Sequence, residues 1–244
     1  MKHTQFKNLL DKAYSKAATT NKPIIIRYTQ SIPYSVDDIL NKMLIQKDMF
    51  YMNFPNNKGT YMGIGKSLSY QISSKKELVN LKRNKYIVIN NKRKDLLNFF
   101  GGAAFDIESK SFYPWKNIPK GEFFIPKLLI QKTSSTTSLL YTRLIDKNIL
   151  KTSILKDYKR YYLLINNKTE TITEGNISIK LKSQSPRYKT YLKNIYNIVD
   201  RFANNSLEKV VISRLVKYTL ANNLSIANLI YYLNKRYPRC LNFF

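Results

Sequence analysis

Leu207-Glu-Lys-Val-Val-Ile-Ser-Arg214 is the stretch on which the reading of this chain turns. Its run of β-branched residues predicts a short strand over 209–214. Upstream, Pro186 opens a helix whose Leu192, Ile195, Tyr196, Val199 and Phe202 recur at helical spacing, and Ala203-Asn-Asn-Ser-Leu207 ends it. Strand alternation puts Lys209, Val211 and Ser213 on one face, with Val210, Ile212 and Arg214 on the other. A lysine at the head of such a strand has two readings. Its ordinary pKa of about 10.4 keeps it cationic at neutral pH, so it serves as a base only where burial or a neighbouring cation lowers that value. At the rim of the fold it is instead a strand-end lysine whose stem packs while its head stays in water.

The rest of the composition narrows the chemistry. The 244 residues, 43% of them hydrophobic and 13% aromatic, suffice for one large packed domain or two small ones. The formal charge of +27 would ordinarily point to nucleic acid or an anionic membrane. The basic residues, however, are 32 Lys against 10 Arg, scattered from Lys2 to Arg239. Recognition of phosphate forks and base edges favours Arg, so this surplus reads as the coding bias of an A/T-rich genome. One cysteine, Cys240, excludes an internal disulfide, and with one histidine, His3, it also excludes Cys/His zinc sites and a Ser-His-Asp triad. Acid and base work therefore falls to Lys, Glu, Asp or Tyr. No apolar run approaches the roughly 18 residues of a membrane span. The basic stretch Met1–Lys22 lacks Arg and places Phe6, Leu9, Leu10 and Ala13 at helical spacing, which favours a first helix over a transit peptide. A cytoplasmic protein is expected.

Along the chain, Pro23–Tyr28 predicts a strand, Asp37-Asp38 the start of a short helix through about Ile45, and Met49–Phe54 a strand. Pro55-Asn-Asn-Lys-Gly59 supplies a turn, and Thr60–Tyr70 returns as the second arm of a hairpin. A short helix over Lys75–Lys82, a buried strand over Tyr86–Ile89 and a glycine-bearing strand within Asn98–Asp106 follow. Glu122–Ile130, Thr137–Leu144 and Tyr161–Asn166 read as further strands, and Asn222-Asn223 as a turn. Ser225 caps a last helix with Ile226, Leu229, Ile230 and Leu233 on one side, stopped by Pro238. The Lys-, Ser-, Thr- and Asn-rich stretch 134–183 is the least constrained. Strands outnumber helices without β-helix-β alternation, so the class is α+β, mainly antiparallel sheets with flanking helices. No linker divides residues 1–244, which read as a single portion.

Other motifs are weaker. Gly63-Ile-Gly65-Lys66 lacks the third glycine and the following helix of a phosphate loop, and reads as a glycine-relieved strand against aromatics. Two adjacent glycines, Gly101 and Gly102, mark a bulge or a close approach by another backbone. Asp106 and Glu108 share a strand face if the strand persists, where they would hold a cation or simply end the strand in solvent. Trp115 reads as a packing anchor under a loop.

Three segments in order resemble the isochorismate synthases of the chorismate-binding enzyme family. They are Phe50-Tyr-Met-Asn-Phe54 through Gly63-Ile-Gly65; Phe100-Gly-Gly-Ala-Ala-Phe-Asp106 with Trp115 and Phe124-Ile-Pro-Lys-Leu128; and Tyr188–Asn197, Leu207 and Lys209-Val-Val-Ile-Ser-Arg214. The resemblance implies that Lys209 activates the water that adds to chorismate, since members that use ammonia carry Gln there. It implies conversion of chorismate to isochorismate for menaquinone or siderophore synthesis, with Mg2+ as cofactor. The motifs bearing the acid, the magnesium-binding glutamates and the substrate-carboxylate contacts do not occur in this sequence. Only Lys209 carries over, and the fold expected is an incomplete, N-terminal part of the family's. The chain is accordingly expected to be inactive alone, with chorismate as substrate and a separately encoded C-terminal half as a partner. The alternatives are a salicylate synthase of the same family and, from another class, a basic nucleic-acid-binding protein.

Overall fold

Ile24-Ile-Ile-Arg-Tyr-Thr-Gln30 is buried at every position, and only a strand covered on both faces accommodates such a run. In the computed structural model this strand lies inside an eight-stranded sheet. The structure describes residues 2–44, 46, 48–80, 86–92, 97–110, 116–133, 136–146, 148–167, 178–203, 207–221 and 225–244. In chain order its elements are α1 (Lys2–Ala18), β1 (Ile24–Ile32), α2 (Val36–Leu44), β2 (Met49–Phe54), β3 (Gly59–Gln71), α3 (Lys75–Asn80), β4 (Ile87–Asn90) and β5 (Phe100–Ala103). They continue with β6 (Gly121–Thr133), β7 (Thr136–Ile145), α4 (Lys151–Asn166), β8 (Ile179–Ser185), α5 (Tyr188–Ala203), β9 (Leu215–Leu220), α6 (Ile226–Arg236) and β10 (Asn242–Phe243). The chain divides into two compact units, residues 1–172 with 230–244, and residues 173–229.

The larger unit holds the sheet, ordered β10-β2-β3-β6-β7-β1-β4, with β5 added on β6. Every pairing in it is antiparallel except β1 with β4, as the class read from the sequence requires. Long β6 serves two partners on one edge: Leu128–Thr133 pairs with β7, and Gly121–Phe124 with β5. Its other edge pairs with β3 through a register shift between Lys66 and Leu68, beside Pro126, which has no amide to donate. Aromatic packing holds the helices down. Phe6 of α1 stacks on Tyr158 of α4 with ring centroids 4.1 Å apart, and meets Tyr28 of β1 and Tyr141 of β7 edge-on at 5.5 Å. Ser35 caps α2: its hydroxyl accepts the Asp38 amide at 3.2 Å, while the Asp38 carboxylate accepts the Ser35 amide at 2.9 Å.

The end of the chain closes one sheet edge, a pairing no local signal announces. The Tyr51 amide donates to the Phe244 carbonyl and the Phe244 amide to the Tyr51 carbonyl, both at 3.0 Å. Beside them Asn234 donates to the Tyr51 hydroxyl at 2.7 Å and accepts from Asn53 and Asn242 at 3.1 Å each.

Three expectations need correction. The strand expected over Tyr161–Asn166 is the last part of helix α4, because Ile154, Tyr158, Tyr161 and Ile165 recur on one buried helical face. The stretch 134–183, expected to be the least constrained, contains β7 and α4, both packed in the larger unit. The strand expected to be buried near Tyr86–Ile89 is β4, a half-exposed edge strand parallel to β1.

The smaller unit is plainer. β8 and β9 pair antiparallel, with a register shift between Leu181 and Ser183, and α5 supplies the helix. Its expected stripe is only partly expressed: Leu192 and Ile195 are half-buried, while Tyr196 and Val199 are exposed. Ser225 accepts the Asn228 amide at 3.3 Å and so caps α6, as its sequence predicts. The Asn222-Asn223 turn lies outside the described residues.

Candidate functional site

Lys209 sits in the segment 207–214, and the structure corrects the strand expected there. The ladder begins at Leu215, and residues 207–214 pair with no strand. β-branched residues favour an extended path, but a strand exists only where a neighbour offers amides and carbonyls in register. Among the described residues no strand pairs with this segment. Lys209 is exposed, and its neighbour Val211 is 84% accessible. With no ladder, the alternation that would aim Lys209 and Val211 at a cleft is not in force.

The far end of the segment is anchored. The Arg214 guanidinium carbon lies 5.1 Å from the Tyr188 ring centre and 5.6 Å from that of Tyr191, two residues of the first turn of α5. Its Nη1 is buried without a hydrogen-bond partner among the described residues. A guanidinium seated on two rings with a donor unused is a group that a carboxylate oxygen satisfies well. Sequence reasoning quoted Arg214 only as part of a motif, yet Tyr188 and Tyr191, spaced i and i+3, were a legible signal.

The desolvated amine sought at position 209 has a counterpart elsewhere, and it is structural. Lys42 of α2 is buried; burial lowers its pKa from the usual lysine range, and the nearby Asp38 partly opposes this. Its Nζ donates to the Ile165 carbonyl at 2.9 Å and to the Asn167 carbonyl, closing the C-terminus of α4, and lies 5.5 Å from the Tyr34 ring centre.

The remaining motifs resolve without chemistry. Gly63 and Gly65 lie in β3 as expected: a Cβ at Gly63 would come within 2.2 Å of the Phe50 ring, and Gly65 has φ of +60°. Lys66 is paired with Glu122 at 2.7 Å and lies 5.3 Å from the Phe124 ring centre. At Gly101, φ is +143° and a Cβ would fall 1.9 Å from the Glu122 carbonyl oxygen, the close approach of two backbones that the glycine pair predicts. Asp106 and Glu108 lie in a turn and not on a strand face; Asp106 Oδ1 accepts the Glu108 amide at 3.2 Å. Trp115 lies outside the described residues. Among the described residues no cluster of three or more His, Cys, Asp or Glu is placed to hold a metal ion. Nor, among them, is any helix long and apolar enough to cross a membrane.

Comparison with known proteins gives these features a context. The family model for chorismate binding enzymes matches residues 12–244. The chain belongs to the chorismate-binding enzyme family. Among solved structures it is similar to MenF, the menaquinone-specific isochorismate synthase from Escherichia coli, with a TM-score of 0.60 and 15% identity. That match covers 96% of this chain and 52% of MenF, so the chain spans about half the length of the relative. No curated protein matches the sequence. At this identity the likeness establishes the fold: an α+β body with a mainly antiparallel sheet, corresponding to part of MenF. The resemblance to the chorismate-binding enzyme family read from the sequence holds.

Proposed function

We propose that this member of the chorismate-binding enzyme family carries the base-bearing N-terminal portion of an isochorismate synthase, an isomerase acting in menaquinone or siderophore synthesis. One observation carries the reading: the family match spans Lys209-Val-Val-Ile-Ser-Arg214, and the resemblance of this motif implies a water-activating Lys where the ammonia-using members have Gln. In this reading the neutral Lys209 amine takes a proton from water, whose oxygen adds to the chorismate ring as the allylic hydroxyl departs with a proton from an acid. Water enters and water leaves, so the net reaction is isomerisation. The acid and the Mg2+ ligands of the family lie outside the motifs matched here, and no residue of this chain is assigned to either role.

An exposed Lys209 is a cation in water. The proposal therefore requires that further polypeptide cover segment 207–214, whether it belongs to a longer form of the chain or to a separately encoded half. The exposed Val210, Val211 and Ile212 support this, since covering them would also desolvate the adjoining amine.

The test is chromatographic assay of chorismate conversion by the 244-residue chain, alone and co-expressed with the product of the adjoining downstream reading frame. The expected result is isochorismate only from the pair, abolished by Lys209→Ala. Turnover by the chain alone would contradict the need for cover, and undiminished activity of the Lys209→Ala pair would remove the assigned base. Release of pyruvate would shift the reading to a salicylate synthase.

A further inference from the structure

The larger unit contains a cavity of about 420 Å³ over the β6–β7 sheet surface beside α4. It is lined by Lys127 of β6, Arg143 of β7, and Ser153, Lys156, Asp157 and Arg160 of α4. Four cations thus face one carboxylate across three elements that follow one another in the chain. Basic residues are abundant in this chain, and Lys156 and Arg160 are themselves exposed, but here three elements bring four of them to a common space. None of these residues belongs to segment 207–214.

The hydrogen bonds and ion pairs show which charges are in use. Asp157 takes the Arg160 guanidinium at 3.1 Å and the Tyr141 hydroxyl at 3.1 Å, and Lys127 lies 4.0 Å away. These contacts orient Arg160 and Lys127 and leave Asp157 committed to them. Arg143 and Lys156 form no ion pair among the described residues. Arg143 is half-buried, so its guanidinium forgoes part of its hydration without a compensating anion. Two forked guanidiniums and two ammoniums converging from different directions suit a tetrahedral group that accepts hydrogen bonds on every side, more than a planar carboxylate that one Arg satisfies. The volume lies within the range of small-molecule sites and is far below a nucleic-acid groove.

We propose that this cavity binds a small phosphorylated molecule, its phosphoryl oxygens held by Arg143 and Lys156 with Lys127 and Arg160 behind them. Inorganic pyrophosphate serves as the probe, titrated calorimetrically into the full chain at fixed ionic strength. One site per chain is expected, weakened about tenfold or more in R143Q/K156Q. K75Q/K76Q removes the same charge from exposed positions of α3, and its affinity is expected to stay within about twofold of wild type. Equal weakening in both variants would mean that net charge alone attracts the ligand and would overturn the site. Binding of duplex DNA with no saturable pyrophosphate binding would overturn it too. Should R143Q/K156Q not fold, the wild-type chain decides: pyrophosphate must raise its melting temperature above that in sodium chloride of equal ionic strength, and no rise rejects the site.

Discussion

The two units of this molecule are built from similar alphabets and reach opposite degrees of closure. In the larger one, Phe6, Tyr28, Tyr141 and Tyr158 from two helices and two strands interlock and are buried. In the smaller one, Ile179, Leu181, Leu215, Tyr218 and Leu220 of the two paired strands are all exposed. Propensity and alternation are present in both. The difference is the number of partners: an eight-stranded sheet gives interior strands two neighbours and lets helices cover a face, whereas a two-stranded ribbon is marginal alone. Residues 207–214, for which the described residues supply no pairing strand, do not form a strand at all.

The comparison can be broken most sharply at Phe6. Replacing Phe6 with Ala should cost about 3–5 kcal/mol in urea denaturation of the larger unit, because a stacked, buried ring leaves a cavity between two helices and the sheet. Little loss would mean that the aromatic cluster is not what holds α1. At Gly101→Ala, positive φ and the collision with the Glu122 carbonyl oxygen should cost about 1–3 kcal/mol and release β5 from β6, seen as faster hydrogen exchange at the Gly101 and Phe123 amides.

Alkaline titration sharpens the contrast through buried phenols. Burial pushes Tyr51 up to about 12, and it raises Tyr141 and Tyr158 as well, with Asp157 adding to the rise at Tyr141 and Tyr28 to that at Tyr158. The folded chain keeps these protons where unfolded tyrosine, with its usual value of 10.0, gives them up. Their contribution is therefore intact below that value and is lost as the pH climbs toward the folded values. Each phenol adds a downward slope of at most about 1.4 kcal/mol per pH unit. Lys42, lowered by burial from 10.5, works in the opposite sense, since its folded form sheds a proton first. The urea midpoint of the larger unit should fall above about pH 10, and Tyr51→Phe should flatten the fall. An unchanged midpoint would contradict the burial of these rings.

The smallest effects are expected in the segment with least packing. Val211→Ala and Lys209→Gln should each change stability by less than about 0.5 kcal/mol, because neither side chain is packed. A larger loss from Val211→Ala would show that the segment is covered in solution.

Much of this was legible without coordinates, for reasons that particular residues make plain. Apolar spacing within one helix located α1 and α6, and the Asn-Asn-Lys-Gly turn located the β2–β3 hairpin, since each signal lies within a few residues of the structure it specifies. Gly101 announced a close backbone approach because no other residue tolerates one. Residues 161–166 misled because Tyr-Tyr-Leu-Leu-Ile has the composition of a strand; its helical period shows only when Ile154 and Tyr158 are read with it.

The sequence by itself determined the class, the family and the short-range elements, because those depend on periodicity and on residue types at close spacing. Tertiary structure alone decided that the strand starts at Leu215 and not at Lys209, that the buried ammonium is Lys42, that the chain end pairs with β2, and that Lys127, Arg143, Lys156 and Arg160 share a cavity. Each of these depends on which distant groups become neighbours: hydrogen bonding, desolvation and charge convergence all belong to pairs, and the partner is not written beside the residue.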